Sequence, residues 1–143
     1  VEWLIPLCAP ALVSQARAQL ESCELIHPSA DRRDWRRWLK RSGRYPGPDI
    51  QRGKVFDSLE QGNMAAISGH GVSVGDLLLS QAAIAQGLLM TPFAEAVSTG
   101  DSYYLVWPEN SPRQRNIDVL QRFLLAYVPQ KNLSGGSTSF VWV

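Results

Sequence analysis

The sequence lacks a strong excess of charge of either sign. Its 14 Lys and Arg residues and 13 Asp and Glu residues leave a formal net charge of +1. A chain that binds nucleic acid or an anionic membrane through its whole surface normally carries a basic excess. No stretch approaches the roughly 20 apolar residues that a membrane-spanning helix needs. These absences favour neither direct binding of DNA by this chain nor contact with a membrane.

Cysteine is also scarce, with Cys8 and Cys23 as the only two. Their spacing does not fit a zinc site, and Cys23 with His27 would supply only two of the ligands that a structural zinc requires. We therefore assign no metal site. A disulfide between the two cysteines is left open, without a feature that indicates one.

The sequence has no recognisable catalytic signature. It contains no Gly-x-Ser-x-Gly motif, no phosphate-binding loop and no paired-carboxylate pattern. His70 lies between two glycines, but no nucleophile or orienting carboxylate stands at a recognisable spacing from it. We therefore predict that the protein is not an enzyme, with no catalytic residue and no cofactor.

What the sequence does contain is an alternation of strand and helix patterns around enough apolar residues, 45% of the chain, for one core. Strands are predicted near residues 3–9, 25–26, 72–74 and 103–107, and helices at 14–20, 31–41, 58–68, 77–86 and 116–127. We expect the 58–68 helix to have a capping box of Asp57 and Glu60 and to bury Leu59, Met64 and Ile67. This order predicts an α/β fold with largely parallel strands.

The 31–41 segment is the most strongly amphipathic helix candidate. Trp35, Trp38 and Leu39 share one face, while arginines occupy the other, and Asp31 is a suitable cap. We interpret the basic residues as a solvated face, with contact to a phosphate or a partner as the alternative. They are Arg32, Arg33, Arg36, Arg37, Lys40 and Arg41.

Five stretches together resemble the effector domain of LysR-type bacterial transcription regulators, in the subgroup of the glycine-cleavage and β-lactamase-inducing regulators. They are residues 4–12, the Trp-Arg-Arg-Trp-Leu of 35–39, Phe-Asp-Ser at 56–58 with 65–75, residues 85–93, and 103–108 with 123–125. The resemblance covers about residues 3–128. One departure is Leu88, where arginine is common in the family.

The resemblance implies a type 2 periplasmic-binding-protein-like fold, in which an effector is held between two subdomains. Residues 1–7 would be the crossover strand from the first subdomain, and 8–107 the second, effector-binding subdomain. Residues 108–128 would be the return segment and final helix of the first subdomain. Residues 129–143 would be a tail, either a late strand, disordered or non-native. The family's winged helix-turn-helix and the first half of its first subdomain are not in this sequence, so we expect that it is a piece of a longer protein.

Phe56, Asp57 and Ser58 are the first candidate effector-binding residues, because they open a helix. A helix N-terminus offers unpaired N–H groups and a positive dipole end, which suits a carboxylate-bearing effector. Asp57 and Ser58 are equally good as simple caps. Gly75 and Asp76 are further candidates because they follow a strand, where α/β sheets bind ligands, although the safer interpretation of Asp76 is an N-cap.

The resemblance also suggests roles outside the effector site. Hinge positions would be Ala9, Pro10, Trp107 and Pro108. A dimer interface would include Leu79, Ala82, Ala83 and Gln86, with core packing of the 77–86 helix as the alternative.

A LysR-type protein would bind a small effector, assemble with itself as a dimer or tetramer, contact DNA through a domain outside this chain, and work in the bacterial cytoplasm without a membrane. The rival function is a solute-binding protein of the same fold that serves a transporter. We further expect an exposed apolar surface around Leu120, Phe123 and Leu124, which predicts self-association or swapped packing.

Overall fold

The computed structural model describes residues 1–127 and 140–143. The chain forms two compact units, one made of Val1–Asp101 with the end of the chain and the other of Ser102–Leu133, of which residues 102–127 are described. No helix among the described residues is long and apolar enough to cross a membrane.

The first unit is built on a mixed sheet with helices packed on it. Its strands are β1 (Trp3–Leu7), β2 (Leu25–His27), β3 (Lys54–Val55), β4 (Val72–Asp76), β5 (Glu95–Ser98) and β6 (Val141–Trp142). Its helices are α1 (Val13–Ala18), α2 (Arg33–Arg41), α3 (Leu59–Ile67) and α4 (Gln81–Ala85), with short 3-10 turns at Pro10–Leu12 and Leu20–Ser22. The described strands stand in the order β3-β2-β4-β1-β5-β6.

The direction of the strands makes the sheet largely parallel, as the sequence predicts. β2 pairs in parallel with β3 and β4, and β5 pairs in parallel with β6. β1 lies between β4 and β5 and runs antiparallel to both. The pairing between β1 and β5 covers Trp3 and Leu4 and ends before Pro6, which has no N–H to donate.

Burial explains why β1 and β4 form the centre of the sheet. Every residue of both strands is buried. Strands covered on both faces read as continuous apolar runs rather than as an alternation, which fits Trp-Leu-Ile-Pro-Leu in β1. The main core cluster joins these strands to α1 and α2.

The amphipathic pattern of α2 predicts its packing correctly. Trp35 and Trp38 are fully buried and Leu39 nearly so. The indole N–H of Trp35 donates to the carbonyl of Ile26 in β2 at 2.9 Å, and that of Trp38 to the carbonyl of Glu95 in β5 at 2.8 Å. Helix α2 is therefore held to two strands by directed bonds as well as by apolar contact.

The start of α2 differs slightly from the expected cap. Its N-cap is Arg32 in a left-handed conformation, with φ of 55° and no side-chain capping bond. Asp31, one residue before the N-cap, supplies a side-chain hydrogen bond to the start of the helix, since its Oδ1 accepts the N–H of Arg33 at 3.2 Å.

Two expected elements are wrong in extent or kind. No strand forms at residues 103–107, although their bulky β-prone side chains favour one. The expected helix at 77–86 shortens to α4, because residues 77–80 form a turn that Asp76 organises.

The second unit contains α5 (Gln114–Tyr127), close to the predicted 116–127 helix. No residue of α5 is buried. The expected exposed apolar surface is confirmed, since Leu120, Phe123 and Leu124 are 46%, 57% and 41% exposed.

The tail expected at 129–143 falls mostly outside the described residues. Its end is a strand, because Val141–Trp142 forms β6 along β5.

Candidate functional site

Three neighbouring strands end at one edge of the sheet. β3, β2 and β4 are adjacent and parallel, so their carboxyl ends meet at the same edge. Phe56, Asp57 and Ser58 come directly after β3, and Gly75 and Asp76 are the last residues of β4. All five candidate effector residues therefore lie along this edge, which we call the carboxyl edge. Edges of this kind are where ligands bind in open α/β sheets.

The N-terminus of α3 is built by Ser58 and Gln61 rather than by the expected Asp57 and Glu60. The Ser58 Oγ accepts the N–H of Gln61 at 3.3 Å, and the Gln61 Oε1 accepts the N–H of Asp57 at 3.2 Å. As in a capping box, two side chains cap backbone N–H groups reciprocally, but the pair is shifted by one residue from the expected one. The carboxylate of Asp57 is left exposed at the edge of the sheet.

Phe56 continues the connection from β3. Its backbone N–H donates to the carbonyl of His27 at 2.8 Å, which ties the start of the loop to the end of β2. Its side chain is half-buried beside the exposed Met64 of α3.

Asp76 caps the turn at residues 77–80 and not the helix itself, in contrast to the safer interpretation of the sequence, because α4 begins at Gln81 and its N-cap is Ser80. Its Oδ1 accepts the N–H groups of Leu78 at 2.7 Å and Leu79 at 3.3 Å, and its side chain is fully buried. Gly75 is a close-packing position, because a Cβ there would stand 2.9 Å from Asn63 Oδ1 and 2.9 Å from Leu7 Cδ1. Asp76 and Gly75 therefore support the structure of the carboxyl edge, Asp76 through its hydrogen bonds and Gly75 through close packing.

The buried face of α3 differs from the expected one. Gly62 and Ala66 are buried, Leu59 and Ile67 are half-buried, and Met64 is 57% exposed. A Cβ on Gly62 would lie 3.2 Å from Ser73 Oγ. Small residues let α3 approach β4 closely. The helix is therefore rotated about its axis so that Gly62 and Ala66, and not its large side chains, face the strand.

Asn63 is a residue of this region that sequence reasoning missed. Its Nδ2 donates to Ser80 Oγ at 3.0 Å, and so joins α3 to the turn that leads into α4. Polar contacts between residues 17 positions apart leave no periodic signal in a sequence.

His27 at the end of β2 is a second missed residue. It is fully buried, and its Nε2 lies 2.7 Å from the carbonyl oxygen of Arg52. A carbonyl accepts only, so Nε2 carries the proton. Burial lowers the pKa of His27 below its usual 6.5, against the opposing effect of the bond to Arg52. A side chain at position 53 would crowd this contact, since a Cβ on Gly53 would stand 3.0 Å from His27 Nε2.

The four expected hinge residues fall in different units. Ala9 is buried and Pro10 begins the Pro10–Leu12 turn, both in the first unit. Trp107 and Pro108 are exposed and belong to the second unit.

The expected dimer-interface residues are accessible. Leu79 is 62% exposed, Ala82 and Gln86 are exposed, and Ala83 is half-buried. No residue of α4 is buried. The alternative of core packing holds for Leu77, which is buried, and not for these four.

Several residues of the basic cluster bind the protein itself. Arg37 forms an ion pair with Asp101 at 3.3 Å, Arg33 lies 3.8 Å from Asp34, and Arg41 donates to the carbonyl of Ser98. Arg33, Arg36, Lys40 and Arg41 are also exposed, which supports the interpretation of a solvated face.

The two cysteines are both free thiols. Burial raises the pKa of the Cys8 thiol to about 11, so it stays protonated at neutral pH. No group of three or more His, Cys, Asp or Glu residues in the described part of the chain could hold a metal ion.

The mixed sheet and the helices packed on it define the class of fold, which is the type 2 periplasmic-binding-protein-like fold. Residues 2–129 match the family model described as "LysR substrate binding domain". The chain belongs to this LysR substrate-binding family.

Curated relatives are transcription regulators. The chain is 28% identical over 130 residues to the glycine cleavage system transcriptional activator of Escherichia coli K12, covering 87% of this chain and 42% of that protein. It is 34% identical over 131 residues to the transcriptional activator AmpR of Rhodobacter capsulatus, covering 85% of this chain and 41% of that protein. The chain therefore spans less than half the length of these regulators.

Solved structures agree on the fold. The effector-binding domain of AmpR from Citrobacter freundii superposes with a TM-score of 0.68 at 20% identity, covering 87% of this chain and 64% of that one. The effector domain of AmpR from Pseudomonas aeruginosa gives 0.55 at 28% identity, covering 65% and 45%.

Proposed function

We propose that this chain is the ligand-sensing part of a LysR-type transcription regulator that works in the bacterial cytoplasm and binds DNA through another part of the protein. The observation that carries the proposal is the family membership together with the convergence of the candidate residues on the carboxyl edge. The proposal makes the chain a binding module and not an enzyme.

The charges at this edge narrow the class of effector. The first N–H groups of α3 suit a carboxylate, because they have no acceptor within the helix. Asp57 and Glu60 place two acidic side chains beside those N–H groups. A purely anionic ligand would be repelled by them, whereas an added ammonium group would be attracted. A small molecule with both a carboxylate and an ammonium group therefore fits this edge best.

We infer that exposed residues near α4 connect effector binding at the carboxyl edge to assembly with a second copy. Asn63 links α3, which begins at the carboxyl edge, to Ser80 before α4. We propose that Leu79, Ala82, Ala83 and Gln86 contact a second copy. An effector that binds one arrangement of the copies better than another would then shift the population of the DNA-bound form.

A thermal-shift titration of the full chain tests the ligand class. The probes are glycine and alanine, with acetate and ethylamine as ligands that carry one charge each. A ligand at about a hundredfold excess over its Kd adds about 2.7 kcal/mol to the free energy of unfolding. We expect the amino acids to raise the Tm and the singly charged probes to raise it less. An equal response to all four, or none, would reject this ligand class.

Matched variants locate the binding. Asp57→Asn keeps the shape of the side chain and removes its charge, so the response to glycine should fall. Glu21→Gln removes a similar exposed charge away from the carboxyl edge and should leave the response unchanged. If both variants respond alike, the ligand does not bind beside Asp57.

The sequence encoded upstream of Val1 separates the regulator from its rival of the same fold. A winged helix-turn-helix followed by a linker helix is the expected result. A signal peptide would instead indicate a solute-binding protein that serves a transporter.

A further inference from the structure

The outer edge of β5 is covered by a strand from the far end of the chain. Val141–Trp142 pairs in parallel with Glu95 and Ala96. The N–H groups of Val141 and Val143 donate to the carbonyls of Ala94 and Ala96, both at 2.9 Å. The N–H of Ser98 donates to the carbonyl of Val143, also at 2.9 Å.

Trp142 adds a side-chain contact to this ladder. Its ring lies edge-to-face on that of Trp3, with centroids 4.8 Å apart and planes at 78°. Trp3 is only 9% exposed and belongs to β1, the strand on the inner side of β5. The indole of Trp142 therefore reaches past the backbone of β5 to a fixed aromatic partner, as side-chain pockets do in strand-addition sites.

The strand that covers this edge lies outside the residues that match the family model. The family match ends at residue 129, and β6 begins at Val141. Without β6, the backbone groups of Ala94, Ala96 and Ser98 that face it would lack these partners, and an open edge of this kind accepts strands. A strand of two residues with a few exposed hydrogen bonds is also among the parts of a protein that open most easily.

We propose that the outer edge of β5 is a docking site for an extended apolar segment that carries a tryptophan, and that residues 140–143 of the same chain are its resident, reversible occupant. Backbone pairing to Ala94, Ala96 and Ser98 supplies the general affinity. The contact with Trp3 supplies the preference for an aromatic residue at the position of Trp142. The site is separate from the carboxyl edge and independent of the effector proposal.

A peptide competition experiment tests the proposal. The probe is a fluorescent peptide with the sequence of residues 137–143, and its binding is followed by anisotropy. The targets are the unaltered full chain and the full chain with Trp142→Ala, with circular dichroism to verify that the variant keeps its fold. The resident strand competes at high effective concentration, so the variant should bind the peptide at least about tenfold more tightly than the unaltered chain.

Two control peptides separate the contribution of backbone pairing from that of the tryptophan side chain. A peptide N-methylated at the positions of Val141 and Val143 keeps every side chain but cannot donate to Ala94 and Ala96, so its binding should be lost. A peptide with alanine in place of Trp142 should bind several-fold more weakly. If the N-methylated peptide binds as well as its parent, pairing with the edge of β5 is refuted.

Two further outcomes would also overturn the proposal. Equal peptide affinity of both chains would show that residues 140–143 do not occupy the edge. Sedimentation of the unaltered chain as a dimer that Trp142→Ala converts to a monomer would show that the occupant comes from a second copy.

Discussion

His27 is a buried base at the end of β2, and its environment makes stability depend on pH. Burial lowers its folded-state pKa below the usual 6.5. Below about pH 6.5 the unfolded chain therefore binds more protons than the folded one, and the free energy of unfolding falls as the pH drops toward the folded pKa. Above that window the contribution is complete. We predict lower stability in urea unfolding at pH 5.5 than at pH 7.5.

The variant His27→Gln tests the source of this dependence. Glutamine retains an N–H for the carbonyl of Arg52 but does not titrate, so the loss of stability between pH 7.5 and 5.5 should become smaller. His70→Gln changes an exposed histidine and should leave the pH dependence as it is. An unchanged slope in His27→Gln would assign the dependence to other groups.

Gly62 shows how one small residue sets the approach of a helix to the sheet. A Cβ at this position would already be 3.2 Å from Ser73 Oγ, and Ile26 and Pro28 lie 3.5 Å away. Gly62→Val should therefore lower the free energy of unfolding by about 1–3 kcal/mol through overpacking. Ala65→Val places the same side chain at a less buried position of α3, where it costs about 0.5 kcal/mol of helix propensity relative to alanine. Since valine is a better helix former than glycine, the loss in Gly62→Val does not come from propensity. Equal losses in both variants, measured by urea unfolding, would contradict the close approach.

At the scale of elements, α2 is held in place by two indole donors. Trp35→Phe and Trp38→Phe each remove a hydrogen bond to a strand carbonyl and leave a small void. Each should lower the free energy of unfolding by about 1–3 kcal/mol. Arg36→Ala, on the exposed face of the same helix, should cost less than about 0.5 kcal/mol. Losses below 0.5 kcal/mol in both tryptophan variants, measured by thermal unfolding, would show that apolar contact alone anchors the helix.

The same helix illustrates which elements a sequence can predict. Trp35, Trp38 and Leu39 are large and correctly spaced, so periodicity predicts both the helix and its buried face. In α3 the face against β4 is formed by Gly62 and Ala66, which carry almost no hydrophobic signal. Periodicity therefore assigns Met64 to the core, where the structure exposes it.

The expected strand at residues 103–107 fails for a different reason. Bulky side chains favour an extended backbone, but a strand exists only where another strand offers hydrogen bonds. None pairs with this segment among the described residues.

The sequence places Gly75 and Asp76 correctly at the carboxyl end of a strand, but it places Phe56–Ser58 only at a helix N-terminus and does not predict β3 before them. The parallel pairing of β3, β2 and β4, which brings these residues to one edge, required the structure. The contacts of Asn63 with Ser80, and of His27 with Arg52, join segments distant in sequence and required the structure.

At the scale of the whole molecule, the two units differ in what they bury. The first unit encloses the core cluster and the carboxyl edge. In the second unit, α5 has no buried residue. Phe123 and Tyr127 stack one turn apart, with ring centroids at 4.7 Å, yet remain 57% and 71% exposed. An apolar helix face of this size marks an interaction surface in a soluble protein.

Self-association through α5 is the prediction that follows. Leu120 and Leu124 lie one turn apart on the same side of the helix, so the double variant Leu120→Glu with Leu124→Glu places two charges within one apolar stripe. Sedimentation velocity of the unaltered chain at increasing concentration should show species larger than the monomer, and the double variant should shift them toward the monomer. Gln121→Glu adds a charge beside the stripe and should leave the distribution nearly unchanged. A monodisperse monomer of the unaltered chain at high concentration would mean that the exposed face of α5 does not bind a second copy, because the same apolar area would then remain in water at every concentration.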